Sequence, residues 1–207
     1  SCCVYLFFML LAYVFFLGGE SRYIIETGLS SIGKLVQNFI GLSTWTDALR
    51  TSSFPQNWTV FYWSYWIVWC VATPFFIGSI SRGRTVRQVV LGGYSFGLAG
   101  TFTSFIILGN YGLGLQMHGK LDLMGIYAGT QNLYKTIIAV FETLPLAKFG
   151  LILLAVTMVA FYATSFDALT MVASSYSYKS LEAGEEPDRK VKLFWAVVLM
   201  LLPIALI

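Results

Sequence analysis

From Trp58 to Ser81 the chain runs for 24 residues without a single charged side chain. At 1.5 Å of rise per residue a helix of that length extends roughly 36 Å, enough to cross the hydrocarbon core of a bilayer. Lipid offers no hydrogen-bond partner to backbone N–H and C=O groups, so a lone run of this length must satisfy them internally, as a helix. Other stretches meet the same criterion wholly or nearly. The spans expected on this basis cover about residues 1–19, 58–81, 89–111, 149–172 and 193–207. The fourth is interrupted only by Asp167, and the fifth is one turn or more short of a full crossing.

Composition agrees. Of the 207 residues 57% are hydrophobic, 17% aromatic and 11% charged, whereas a soluble domain carries about 25% charged residues. A soluble globular domain and a disordered chain are both excluded. The net charge of +3 is small and scattered, which argues against a nucleic-acid surface. Cys2, Cys3 and Cys70 lie inside apolar runs with no CxxC spacing, so neither a disulfide framework nor a zinc site is expected. The fold class expected is an all-α polytopic membrane protein. The chain opens without an initiator Met or a basic leader region and closes within an apolar run. The first span is therefore not read as a signal peptide, and the whole is expected to be one incomplete transmembrane domain, part of a larger protein.

Connecting segments orient the spans. Arg82, Arg84 and Arg87 follow the second span with no acidic residue among them, and Lys179, Arg189, Lys190 and Lys192 precede the fifth. Short loops rich in Lys and Arg stay on the cytoplasmic side, which assigns 82–88 and 178–192 to the cytoplasm. The other two connections contain amphipathic stretches, expected over about 29–42 and 131–144. Leu29, Ile32, Leu35, Val36, Phe39 and Ile40 fall on one helical face, and Leu133, Ile137, Val140, Phe141 and Leu144 form a second stripe. Such helices lie in the membrane interface or, for the second equally, pack on other protein.

Chemistry concentrates in two places. At 100° per residue Tyr62, Tyr65, Trp66 and Trp69 share one face of the second span, with Trp58 above them. Trp58 and Tyr62 fit the aromatic belt at the headgroups. Trp66 and Trp69 lie about 12–16 Å deeper along the helix, beyond any belt. Electron-rich ring faces at that depth suit a quaternary ammonium, a cation that forms no ordinary hydrogen bond; side-chain packing is the plainer alternative. In the second place, Phe161, Thr164, Ser165 and Ala168 share a face. Hydroxyl and carbonyl oxygens are the ligands a hard cation needs, although Thr and Ser in membrane helices commonly bond their own backbone. Asp167 is costly in lipid and is expected to face protein or a cavity. Glycines 92, 93, 97 and 100 would permit close helix contact, and His118 is expected on the surface. No Ser/His/Asp set, HExxH or phosphate-cradling glycine loop occurs, so no enzyme is expected.

The phrase Trp58-Thr-Val-Phe-Tyr-Trp, Trp66 and Ile80-Ser-Arg-Gly-Arg-Thr-Val-Arg87 closely resembles the betaine/carnitine/choline transporter family. The likeness continues through Glu142-Thr-Leu-Pro145, Phe161–Asp167 and Gly184-Glu-Glu-Pro187. It implies part of a twelve-helix secondary transporter built on two inverted five-helix repeats, covering the end of the first repeat and most of the second. By that resemblance Tyr65, Trp66 and Trp69 bind substrate: glycine betaine, choline, carnitine or a similar compound. The first position is commonly Trp in relatives, so Tyr65 is a departure that adds a hydroxyl. The Phe-x-x-Thr-Ser pattern of sodium-coupled members stands here as Phe161, Thr164 and Ser165, which implies a bound sodium ion and symport. A sodium-independent exchanger of carnitine-like substrates is the alternative. The resemblance also implies the plasma membrane of a prokaryote, a homotrimer, and no cofactor beyond the coupling ion.

Overall fold

The computed structural model describes residues 2–178 and 187–205, and of 68, 72, 75, 79 and 202–204 only the backbone. Helices are the regular structure of the described residues, with no strand among them. In chain order the helices are α1 (Cys2–Leu17), α2 (Ser21–Gln37), α3 (Phe39–Thr44), α4 (Val60–Ile80), α5 (Val86–Ser104), α6 (Asn110–Met117), α7 (Leu123–Thr130), α8 (Leu133–Glu142), α9 (Ala147–Tyr176) and α10 (Arg189–Ala205). A π-turn at Pro55–Thr59 leads into α4, and another at Phe105–Gly109 joins α5 to α6. By length and composition Val86–Met117 and Ala147–Tyr176 can each cross a membrane, and α1 with α2 forms a third candidate bent by 113°. The family segment Gly184–Pro187 lies largely outside the described residues.

Two compact units emerge, Ser1–Leu42 with Val90–Ala160, and Ser43–Val89 with Phe161–Ile207. In the first, the core gathers Leu10, Tyr13 and Val14 of α1, Ile24 of α2, Tyr111 and Leu115 of α6, Phe141 of α8, Leu144, and Leu153 of α9. Two tyrosines at its edge satisfy their hydroxyls. Tyr13 donates to the Pro145 carbonyl at 2.5 Å, and Tyr111 pairs with Thr143 Oγ1 at 2.7 Å. Glycine makes these seats possible. A Cβ at Gly150 would lie 2.7 Å from the Tyr13 ring, and one at Gly18 only 2.5 Å from the Tyr111 ring. Gly19 then takes φ +74°, where other residues are strained, and the chain turns into α2.

The amphipathic helix expected over 29–42 begins earlier, at Ser21, and is interrupted at Asn38, whose backbone and side chain both donate to the Lys34 carbonyl. Its buried contacts are Ile24 and Gly28, the latter against Ile106. Leu29, Val36, Phe39 and Ile40 stay exposed. The stretch expected over 131–144 is α8, started by the Asn132 side chain accepting from the N–H groups of Tyr134 and Lys135. Phe141 and Leu144 at its far end enter the core, so that end packs on protein. The fourth span is longer than expected: α9 is a single helix of 30 residues that runs through Asp167.

Among the described residues Asp167 is exposed. A Cβ added at glycine 92, 93, 97 or 100 of α5 would meet no side chain or other segment within 4 Å among the described residues. His118 is exposed, as expected, and its Nδ1 also lies 2.9 Å from the buried carboxylate of Glu20, which Lys120 approaches at 2.5 Å.

In the second unit the segment before α4 is organised by one carboxylate. Asp47 accepts from the N–H groups of Thr51, Ser52 and Ser53 and from the Thr51 and Ser52 hydroxyls. These donors, the Ser52 N–H foremost, pull its pKa down to about 2. A carboxyl whose folded pKa is depressed stabilises the fold above its unfolded pKa, and that contribution is lost as pH falls through the folded value. Amide-exchange protection at Thr51, Ser52 and Ser53 is therefore expected to disappear as pH drops from about 4 towards 2, and to be weak at every pH in Asp47→Ala. Protection that persists in the alanine variant would show that the loop is held by something else.

Candidate functional site: an aromatic and hydroxyl groove in the second unit

Between Val60 and Ile80, α4 carries no charge and continues through Pro74. Its rings, with three from the chain before it, form two series. Trp45, Phe54, Trp58 and Tyr62 follow one another at centroid separations of 6.3–6.4 Å. Phe61 stacks on Tyr65 at 6.3 Å, and Tyr65 is 5.9 Å from both Trp66 and Trp69. Phe61 also meets Tyr62 edge-on at 5.5 Å, so the two series join at the top of α4. Tyr62 turns to Trp58, and the deeper cluster is built around Tyr65. Nothing in the spacing of α4 alone indicated Trp45 or Phe54, which reach the first series from a connecting segment.

Opposite the deeper cluster stands the second half of α9. A groove of 430 Å³ is lined by Tyr65, Trp66, Trp69, Thr73 and Phe76 of α4 and by Thr164, Ser165, Ala168 and Val172 of α9. Beside it, a space of 530 Å³ is lined by Tyr65, Trp69, Phe161, Tyr162, Ser165, Phe166 and Leu169. The three aromatic positions and the two hydroxyl positions singled out in the sequence therefore line one groove. Phe161 lines the neighbouring one, and Tyr65, Trp69 and Ser165 line both. Thr73 and Phe76 were not foreseen, though Thr73 follows Trp69 at the i,i+4 spacing of a shared face. Tyr162 and Phe166 repeat that spacing on α9.

The polar geometry is specific. Thr164 Oγ1 donates to the Phe161 carbonyl at 2.7 Å and Ser165 Oγ donates to the same oxygen at 3.2 Å. The unbroken helix directs the Ser165 N–H at it as well. The Phe161 carbonyl is thus fully engaged here. Each hydroxyl oxygen, having given its proton away, keeps lone pairs that a cation can use. No cluster of three or more His, Cys, Asp or Glu side chains suited to a transition metal occurs among the described residues.

Comparison with known proteins gives the family. Its description, BCCT, betaine/carnitine/choline family transporter, matches residues 1–207. An uncharacterized transporter of Escherichia coli strain K12, YeaV, is 30% identical over 189 residues, which is 91% of this chain and 39% of that protein. A carnitine transporter of Acinetobacter baumannii strain ATCC 19606 is 31% identical over 189 residues, 91% of this chain and 34% of that one. The chain thus spans little more than a third of the length of these curated relatives. The match over all its residues, and two relatives aligned along nine tenths of it, lead to one conclusion: this chain belongs to the betaine/carnitine/choline transporter family.

Proposed function

We propose that the protein of which this chain is part is a secondary transporter of quaternary ammonium compounds such as glycine betaine, choline or carnitine, coupled to sodium and working by alternating access. The observation that carries the reading is the single groove in which the rings of Tyr65, Trp66 and Trp69 face the hydroxyl oxygens of Thr164 and Ser165. Ring faces attract an alkylated ammonium that water would otherwise hold only weakly. Oxygen lone pairs lining the same groove suit sodium. The family membership and the carnitine transporter among the relatives support the substrate class. Under this reading sodium enters with Thr164 and Ser165 as ligands, and the Phe161 carbonyl joins them only if the two hydroxyls turn away from it. The remaining parts of the reading are a twelve-helix assembly of two inverted repeats, a homotrimer, the plasma membrane of a prokaryote, and cytoplasmic placement of loops 82–88 and 178–192. The arginines at 82, 84 and 87 support that sidedness.

The test is uptake of glycine betaine and of carnitine by the full-length protein in proteoliposomes, with and without an inward sodium gradient. Thr164→Ala combined with Ser165→Ala is expected to raise the sodium concentration for half-maximal uptake about tenfold, the equivalent of one good ligand interaction. Substrate affinity at saturating sodium should change little. Linkage requires sodium and substrate to strengthen each other's binding by one common factor, and that factor should shrink in the variant. Equal uptake by the wild type in potassium and sodium buffers would replace symport with sodium-independent exchange.

A further inference from the structure

Three aliphatic hydroxyls line the 430 Å³ groove: Thr73 on α4, and Thr164 and Ser165 on α9. Two of them have committed their protons to the Phe161 carbonyl. The third has not. Among the described residues the Thr73 hydroxyl has no hydrogen-bond partner, although the side chain is half-buried. Threonine in a helix ordinarily returns its proton to its own backbone, as Thr103 and Thr157 do here. A hydroxyl left open in a groove walled largely by rings is a donor waiting for an acceptor, because leaving it unpaired there carries a cost.

Position says which acceptor. Thr73 is four residues beyond Trp69, hence one turn or about 6 Å further along α4 on the same face. A ligand with its ammonium over Trp66 and Trp69 and an anionic group one turn away would fill both positions. A carboxylate separated from a trimethylammonium by three carbons has that reach. The groove thus divides its hydroxyls by chemistry: Thr164 and Ser165 present lone pairs, which suit a cation, and Thr73 presents a proton, which suits an anion.

We propose that Thr73 is a specificity-determining residue that hydrogen-bonds the carboxylate of a zwitterionic substrate and so selects three-carbon betaines over quaternary amines without an anionic group. The inference rests on the transport reading above and deepens it. It is tested with two probes of equal chain length, γ-butyrobetaine and butyltrimethylammonium, which differ only in the carboxylate. Each is measured by equilibrium binding to the full-length protein in detergent. Thr73→Val, similar in shape but without the donor, is expected to weaken γ-butyrobetaine about tenfold, the effect of losing one hydrogen bond to a charged acceptor. Butyltrimethylammonium should stay within about twofold, and Thr73→Ser should restore γ-butyrobetaine affinity. Equal weakening of both probes, failure of the serine to rescue, or unchanged γ-butyrobetaine affinity in the valine variant overturns the assignment and leaves the transport reading standing. A wild-type protein that binds neither probe overturns the assignment, and the transport reading falls with it only if glycine betaine, choline and carnitine also fail to bind.

Discussion

Replacing Trp69 by alanine in the full-length protein raises the apparent Kd for glycine betaine or carnitine about tenfold or more. Trp69 is the side chain on which the site converges, since it lines both grooves and lies 5.9 Å from Tyr65. Cation–π attraction over a desolvated ring contributes about 1–2 kcal/mol, and each 1.4 kcal/mol is a factor of ten in affinity. Loss of the indole also frees Tyr65 on one side, so the effect should exceed that of Trp66→Ala, which lines one groove only. Trp66→Phe keeps a ring face and should be milder than either. Isothermal titration of the purified protein decides it. If both alanine variants express normally and bind glycine betaine and carnitine with unchanged affinity, the substrate box is not on this helix.

The second large effect is on stability and concerns the first unit. Glu20 is 4% exposed at the bend between α1 and α2, with Lys120 Nζ at 2.5 Å and His118 Nδ1 at 2.9 Å. Tyr23 meets the imidazole edge-on at 5.2 Å. Burial by itself drives the Glu20 carboxyl upward, but Lys120 and then His118 outweigh it and hold its pKa below the usual value. Removing Lys120 leaves a buried carboxylate with His118 as its one remaining ion-pair partner among the described residues. A fully buried pair broken in this way costs about 3–5 kcal/mol. Lys120 is half-exposed, so about 2 kcal/mol is expected for Lys120→Ala. The paired variant Glu20→Leu with Lys120→Met should recover much of that, because neither charge is then stranded. The sign with pH follows from the lowered carboxyl: its contribution is present above the unfolded pKa of about 4.3 and is lost as pH falls through the lower folded value. Thermal unfolding of the full-length protein in detergent checks both points. A Tm for Lys120→Ala equal to wild type would show that the cluster does not hold the corner.

Periodicity made much of the helical layout readable in advance. The uncharged runs before Glu20 and after Asn57 became α1 and α4 within a few residues, because lipid leaves the backbone no alternative to the helix. The ends were harder. Helix α2 begins eight residues before its apolar stripe is evident, since Ser21 to Gly28 is polar in composition and is held by two tertiary contacts, Ile24 and Gly28. The deeper aromatic set and the Thr164–Ser165 pair were readable from spacing and family likeness. That they line one groove was not, because a single helical wheel carries no information about which other helix it faces.

The sequence by itself determined the solvent and the secondary structure. Uncharged runs of bilayer length, punctuated by arginines and lysines, admit little else. It also determined the two chemical inventories, rings on α4 and hydroxyls on α9, since residues four apart on one helix must share a face. Tertiary structure decided the rest. It drew His118 and Lys120, about a hundred residues distant, onto Glu20. It set Thr73 in the same groove as Thr164 and Ser165 while committing only the latter two to the Phe161 carbonyl. Each depends on where one helix places its neighbour, a relation fixed by side-chain packing over long sequence separations and absent from any local pattern.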